Sequence, residues 1–293
     1  MLTTREPGNR NSSLKSKTTV VSDMLELMKK SAVCPYNSRL QKGGALLEDM
    51  RTLVRHWPPS EESTVGVATF VHSALAKQTS ARSLDTFNRA FKPRFLDGDP
   101  KQAWRIVRPV EDQGWTAEQI RPLYYWITAR NDKLLYQYAT EFLAGQERGF
   151  PRVDSEHAAL WITSTIRPVG LAWTSTVTIK VARGLLAALR DFGLLAGDAK
   201  KRFVTGHLSM ATFAYIAFAL HRQGVSGNML VDHPDWRLFF LTTRQQRERL
   251  FMEANQARLL NYQAAGSLVS IDFPSNSFED YAHVVTERTN RPA

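Results

Sequence analysis

Apolar positions recur at steps of three and four along most of the chain, and the predicted elements follow from that period. Val20, Met24, Leu27 and Met28 predict a helix over Thr19–Ala32. Leu46, Leu47, Met50, Leu53 and Val54 share one face of a helix over Ala45–Trp57, between Gly43-Gly44 and Pro58-Pro59. The same spacing predicts helices over Thr64–Ala76, Ser80–Phe91, Gln102–Val110, Thr116–Ala129 and Asp132–Gln146. Thr116 and Gln119 stand at the positions of a capping box. After a boundary at Gly149-Phe150-Pro151, further helices are predicted over Ser155–Thr165, Ser175–Phe192 and Ser209–Gln223. A turn at Gly224–Gly227 precedes helices over Asp235–Thr242 and Arg244–Ala264, the latter stopped by Gly266. Period-two alternation marks Leu268–Phe273 as a short strand, and Ser277–Glu287 as the last short helix follows it. The expected fold is mainly α: multi-helical, with a winged helix-turn-helix module and a few short β-strands near 194–204 and 268–273. The expected organisation is a basic, disordered tail at 1–18, an N-terminal helical domain at 19–149, the winged module at 150–208, and a C-terminal helical region with a short strand at 209–293. No repeat of fixed period occurs.

The segment Trp173–Phe203, WTSTVTIKVARGLLAALRDFGLLAGDAKKRF, holds the most informative pattern. On a helical wheel, Val177, Val181, Leu185, Ala188, Leu189 and Phe192 form a core stripe. Thr176, Lys180, Arg183, Ala187 and Arg190 form a second stripe that is small and basic. Such a face can approach a phosphate backbone without repulsion, and Thr176 and Ala187 are small enough to let it enter a groove. Gly193 supplies a left-handed stop, Ala196-Gly197-Asp198 a turn, and Lys200-Lys201-Arg202 a basic return strand. With Ser155–Thr165 as the preceding helix, this is the layout of a winged helix-turn-helix. There the second helix enters the major groove and the wing touches the backbone. A plain amphipathic helix with a solvated back shares the pattern, and winged helices also serve as protein–protein modules.

Charge sharpens this picture. The 293 residues carry a formal net charge of +10, with basic residues clustered, which favours a polyanionic partner. A second basic cluster, SARSLDTFNRAFKPR, offers Arg82 and Arg89 as phosphate contacts, with Lys92 and Arg94 near the same face and Phe87 and Phe91 turned inward. Arg39 and Lys42 form a weaker version of it. Tyr124, Tyr125, Trp126, Tyr136 and Tyr138 sit at helical spacing and read as core or a partner surface.

Other chemistry finds little support. The single cysteine, Cys34, excludes an intramolecular disulfide and a multi-cysteine metal site. None of the seven histidines forms an HxxxH or HExxH pair, and Asp232-His233-Pro234-Asp235 reads as a turn and helix cap. The acidic SEEST stretch at 60–64 reads as a loop or cap. No phosphate-binding glycine motif or nucleophile elbow occurs, so no enzyme activity, cofactor or metal is expected. The longest apolar run, ATFAYIAFAL at 211–220, is about half the ~20 residues that span a bilayer. The expectation is a cytoplasmic protein without membrane insertion.

Several long strings carry a family resemblance: YNSRLQKGGALLEDMRTLVRHW, VARGLLAALRDFGLL, FAYIAFALHRQGVSGNMLVDHPDWRLFFL and NYQAAGSLVSIDFP. Between Tyr36 and about Val284 the chain resembles the BrxA family of bacteriophage-exclusion (BREX) defence systems, with residues 1–33 outside the likeness. The resemblance implies a helical, non-catalytic component of a multi-protein phage-restriction system. It also implies double-stranded-DNA binding through helix-turn-helix-like modules and contact with other BREX proteins. Members have been described as inner-membrane proteins, against which the short apolar runs here argue. A proposed likeness to the RNA-binding protein NusB keeps RNA as a rival ligand, and a protein–protein scaffold is a third reading. The resemblance implies no catalytic residues.

Overall fold

Two helices that are apolar almost all round form the centre, as buried helices must be. The computed structural model describes residues 36–42, 44–58, 64–75, 77, 79–145, 153–198, 201–204 and 208–289. The tail 1–18, the helix expected over Thr19–Ala32, Cys34, most of the SEEST stretch and the boundary at 149–151 lie outside the described residues. By its contacts Ser38–Ala293 is one compact unit, and Met1–Asn37 is grouped apart.

After a short 3-10 turn at Arg39–Lys42, the chain builds α1 (Leu47–His56), α2 (Thr64–Leu75) and α3 (Ser80–Thr86), which runs on as a wide π-helical segment over Phe87–Leu96. Next come α4 (Trp104–Asp112), α5 (Ala117–Arg130) and α6 (Lys133–Gln137, continued by Tyr138–Leu143). Then follow α7 (Ser155–Ile166), α8 (Ser175–Asp191), β1 (Leu195–Ala196) and β2 (Arg202–Phe203). The chain ends with α9 (Met210–Arg222), α10 (Gly227–Val231), a 3-10 turn at Pro234–Phe239, α11 (Arg244–Gln256), β3 (Asn261–Ala265), β4 (Leu268–Asp272) and α12 (Phe278–Thr289). The fold is mainly α, as the periodicity predicts.

The central pair is α5 and α9. Thr116 opens α5 with the predicted capping box, and Leu123–Ala129 is buried at every position. Ala211–Leu220 of α9 is likewise buried throughout, so the most apolar run of the sequence is a core helix. No helix among the described residues is long and apolar enough to cross a membrane. Around this pair, α9 packs on α5, α11 and α12, and α12 packs on α4. Helices from 47–143 and from 210–289 therefore share one core. Tyr124, Tyr125, Trp126 and Tyr138 are core residues and Tyr136 is half-buried.

Two readings are corrected and one, the cap at Asp232–Asp235, is extended. The helix expected over Arg244–Ala264 ends at Gln256, and 261–265 is strand β3, paired antiparallel with β4 across Gly266. Arg258 takes a left-handed φ of 59°, while Leu259 N–H returns to the Ala254 carbonyl at 2.9 Å. Tyr262 N–H then donates to Asn255 Oδ1 at 3.0 Å. The alternation of NYQAA matches that of LVSID, a hairpin pairing across Gly266-Ser267 that a helical period hides. Asp235 is more than part of a cap: it is buried and accepts hydrogen bonds from Trp126 Nε1 (2.7 Å), Tyr136 OH (3.0 Å) and Arg130 Nη1 (3.1 Å). Arg94 leaves the basic surface. It is buried and donates to the Ala45 and Gly44 carbonyls at 2.9 and 3.2 Å. Desolvation lowers its pKa to about 10.

Asp132 caps α6 by accepting from Leu135 N–H at 3.1 Å. Burial pushes its carboxyl up from the ordinary 3.8 to about 6, against the pull of that N–H and of the Arg94 charge. The folded chain thus holds a proton that the unfolded chain has lost between those pH values. Stability from this group therefore falls as pH rises from about 4 to about 6 and stays low above that. Asp132→Asn keeps the cap and removes the titration. Measured by urea midpoints, the stability of the variant relative to the natural chain is expected to rise between pH 4.5 and pH 7. A difference that does not change with pH would count against this assignment.

Candidate nucleic-acid interface

The geometry around α8 is set by caps and by one close approach. Asp154 opens α7 by accepting from Glu156 N–H and His157 N–H, both at 3.0 Å, which hold its carboxyl below the usual range, His157 foremost. Thr174 opens α8 by accepting from Val177 N–H at 3.3 Å. Ala158, Ile162 and Ile166 of α7 are buried, and α7 packs on α8, whose Val181, Ala182, Leu185, Leu186, Ala188 and Leu189 are buried too. Of the predicted core stripe only Val177, in the first turn, is half-exposed. Gly193 takes φ 82° and turns the chain from α8 into the hairpin. There Leu195 pairs with Phe203 and Ala196 with Arg202. Val153, just before α7, adds a third extended segment: it exchanges backbone hydrogen bonds with Lys201 at 2.9 and 3.0 Å.

The predicted contact residues divide into distinct groups. Thr176, Lys180 and Arg183 are exposed on α8, and the first turn of that helix holds no acidic residue. Lys180 and Arg183 make no salt bridge among the described residues. Arg183 shares a cleft with Ser155, Asp198 and Lys201, so the helix and the hairpin meet there. Lys201 is half-buried and its Nζ donates to the Asp198 carbonyl, while Arg202 is exposed. Lys200 lies outside the described residues. Arg190 is exposed but pairs with its neighbour Asp191 at 3.1 Å. Arg82 is exposed, and Arg89 pairs with Asp85 one helical turn away. Lys92 stands 3.9 Å from Asp97. Phe87 and Phe91 point inward as expected.

The far half of the basic stripe is corrected. The Arg39–Lys42 turn packs on α8. A Cβ on Gly44 would lie 3.4 Å from Ala187 Cβ and 3.2 Å from Ala188 N, and a Cβ on Gly184 would overlap the Leu40 carbonyl oxygen. Gly184 and Ala187 are therefore small because a neighbouring segment sits on them, and no groove can use them. The exposed cationic face of α8 is its first half, Ser175–Arg183. Gly184→Ala is expected to cost about 1–3 kcal/mol through overpacking, read as a fall in thermal midpoint. An unchanged midpoint would show that this turn is not seated there.

The same turn brings Arg39 and Lys42 to one small cleft with Arg89. Only the tertiary structure makes that juxtaposition, because about fifty residues separate them. Among the described residues, no group of three or more potential metal ligands occurs.

A model of the BrxA family matches residues 34–219, well over half of the chain. The chain belongs to the BrxA family. This places it among BREX phage-defence proteins, in agreement with the resemblance carried by its sequence strings. The BrxA match spans α1 to α8, the hairpin and nearly all of α9, and ends before α10. It is narrower than the likeness read from the strings, which extends past the β3–β4 hairpin. No curated protein and no solved structure matches the chain.

Proposed function

We propose that this BrxA protein is a non-catalytic, double-stranded-DNA-binding member of its defence system, acting in the cytoplasm. In this reading α7, the turn 167–174, α8 and the β1–β2 hairpin form a winged helix-turn-helix. The order of elements supports it: an extended residue, helix, turn, helix and hairpin, with Val153 paired to the returning strand. The observation that carries the reading is the exposed first half of α8, where Lys180 and Arg183 project with no acidic residue in the opening turn. Groove and backbone contacts come from Thr176, Lys180 and Arg183. Lys200, Lys201 and Arg202 supply wing contacts, and Arg190 a minor one because Asp191 already holds it. Arg82 and Arg89 extend the contact with the backbone. Binding through such groups is dominated by phosphate and falls steeply with salt.

The test is fluorescence anisotropy with a labelled duplex of about 30 bp and a matched RNA hairpin across a salt series. Tighter, salt-steep binding of duplex DNA supports the reading. Preference for the hairpin would replace it with an RNA-binding one. A second reading, docking of another BREX protein, is favoured by Leu160 and Val169, which are 70% and 50% exposed beside the helix-turn-helix. A complex that survives nuclease and high salt, with no binding of either nucleic acid, would point there.

A further inference from the structure

A cavity of about 260 Å³ opens at the C-terminal end of α8. Its walls are Tyr125 of α5, Phe192 and Leu194 just past α8, and Phe239 and Phe240 at the end of the last 3-10 turn. Tyr125 lies 5.4 Å from Phe192 and 5.9 Å from Phe239, ring to ring, so the wall is largely aromatic. Among the described residues one cation lines it. Arg121 runs along the backbone of Gly193, where an added Cβ would lie 3.3 Å from Nη1. Its Nε is shut off from solvent and has no hydrogen-bond partner among the described residues, so a ligand in the cavity can meet only the terminal nitrogens of the guanidinium. The other charged group at the cavity among the described residues is Glu118, exposed one turn earlier on α5.

We infer that this cavity binds a small organic carboxylate with an apolar body, its carboxyl group on Arg121 and its body against the aromatic wall. The chemistry selects this class. One guanidinium with flanking aromatics suits a singly charged, planar anion, and a fork of N–H donors matches a carboxylate. A phosphate would want several donors, and Glu118 at the cavity opposes a second negative charge. The volume admits a ring with a short chain, and ligand sites of this kind are mostly apolar with few polar anchors. The site is independent of nucleic-acid binding.

The experiment is calorimetric titration of the full chain with 3-phenylpropionate and with its neutral amide, 3-phenylpropionamide. The carboxylate is expected to bind at least about tenfold more tightly than the amide, as a charge-assisted contact provides. Arg121→Gln is expected to erase that difference, Arg121→Lys to restore part of it, and Glu118→Gln to strengthen carboxylate binding. A thermal melt checks that each variant folds; the comparison of acid and amide on the natural chain decides the matter even where one does not. The inference is overturned if the natural chain binds neither compound. It is also overturned if it binds both equally, or if the preference persists in Arg121→Gln.

Discussion

Replacing Lys180 and Arg183 together with alanine is expected to weaken duplex binding roughly ten- to a hundredfold at low salt and to lower the salt slope by about two, near 0.9 for each phosphate no longer neutralised. The effect should be similar for all sequences, because groups that touch phosphate position a protein without reading bases. Both side chains are exposed and make no salt bridge among the described residues, so the fold should not change. Arg249→Ala is the control. Arg249 is equally cationic and exposed, but pairs with Glu253 at 2.8 Å on α11. Its removal should leave the slope as it is. Arg190→Ala should fall between, because Asp191 already occupies that guanidinium. An unchanged slope in the double variant would move the interface elsewhere and leave α8 as a core helix with a solvated back.

Glu111→Ala is expected to cost about 3–5 kcal/mol of stability, the usual result of removing one partner from a buried ion pair. The Glu111 side chain is 0% exposed and ties α1 to α4 and α5. It accepts from Arg51 Nε (2.9 Å), Arg51 Nη2 (3.1 Å), Arg55 Nε (2.8 Å) and Tyr124 OH (2.9 Å). The Arg51 side chain is only 12% exposed, so alanine would leave its guanidinium with only the exposed Glu48 at 3.6 Å and the Tyr124 hydroxyl without its acceptor in the interior. The hydrogen bond to Glu111 is the largest of the effects that raise the Arg51 pKa. For a chain of this size the thermal midpoint should fall by roughly 6–20 °C. Arg55→Ala should cost less, because its side chain is 43% exposed and water can replace the ion pair. A loss below about 1 kcal/mol in Glu111→Ala, by urea denaturation, would mean that the cluster contributes little.

Much of the architecture was legible in local pattern. The period of three and four gave the helices of 47–143, 155–191 and 210–222 nearly to their ends, because burying one face repeats every turn. Thr116 with Gln119 marked the start of α5, since an orphan N–H needs an acceptor within three residues. Gly193 and the basic return after it marked the short hairpin. Where the period misled, a partner strand just beyond the next turn had decided. Residues 261–265 pair with 268–272 in a hairpin, which turns Ile271 inward.

The candidate site shows the same division. Thr176, Lys180 and Arg183 were recognisable from the wheel, because an exposed cationic stripe opposite a core stripe is a local property. Arg94 was not separable from Arg82 and Arg89 by spacing, and neither was Ala187 from a groove-entering face. Their fate depends on the Arg39–Ala45 segment, which lies more than forty residues before Arg94 and about 140 before Ala187 in the sequence. By itself the sequence determined the helical class, the position and sign of the exposed charge on α8, and membership of the BrxA family. The tertiary structure alone decided which basic residues reach the surface, which half of α8 stays open, and that Arg121 lines an aromatic cavity. The physical reason is that helical period reports one face of one element, whereas burial and pairing depend on what another element brings to that face.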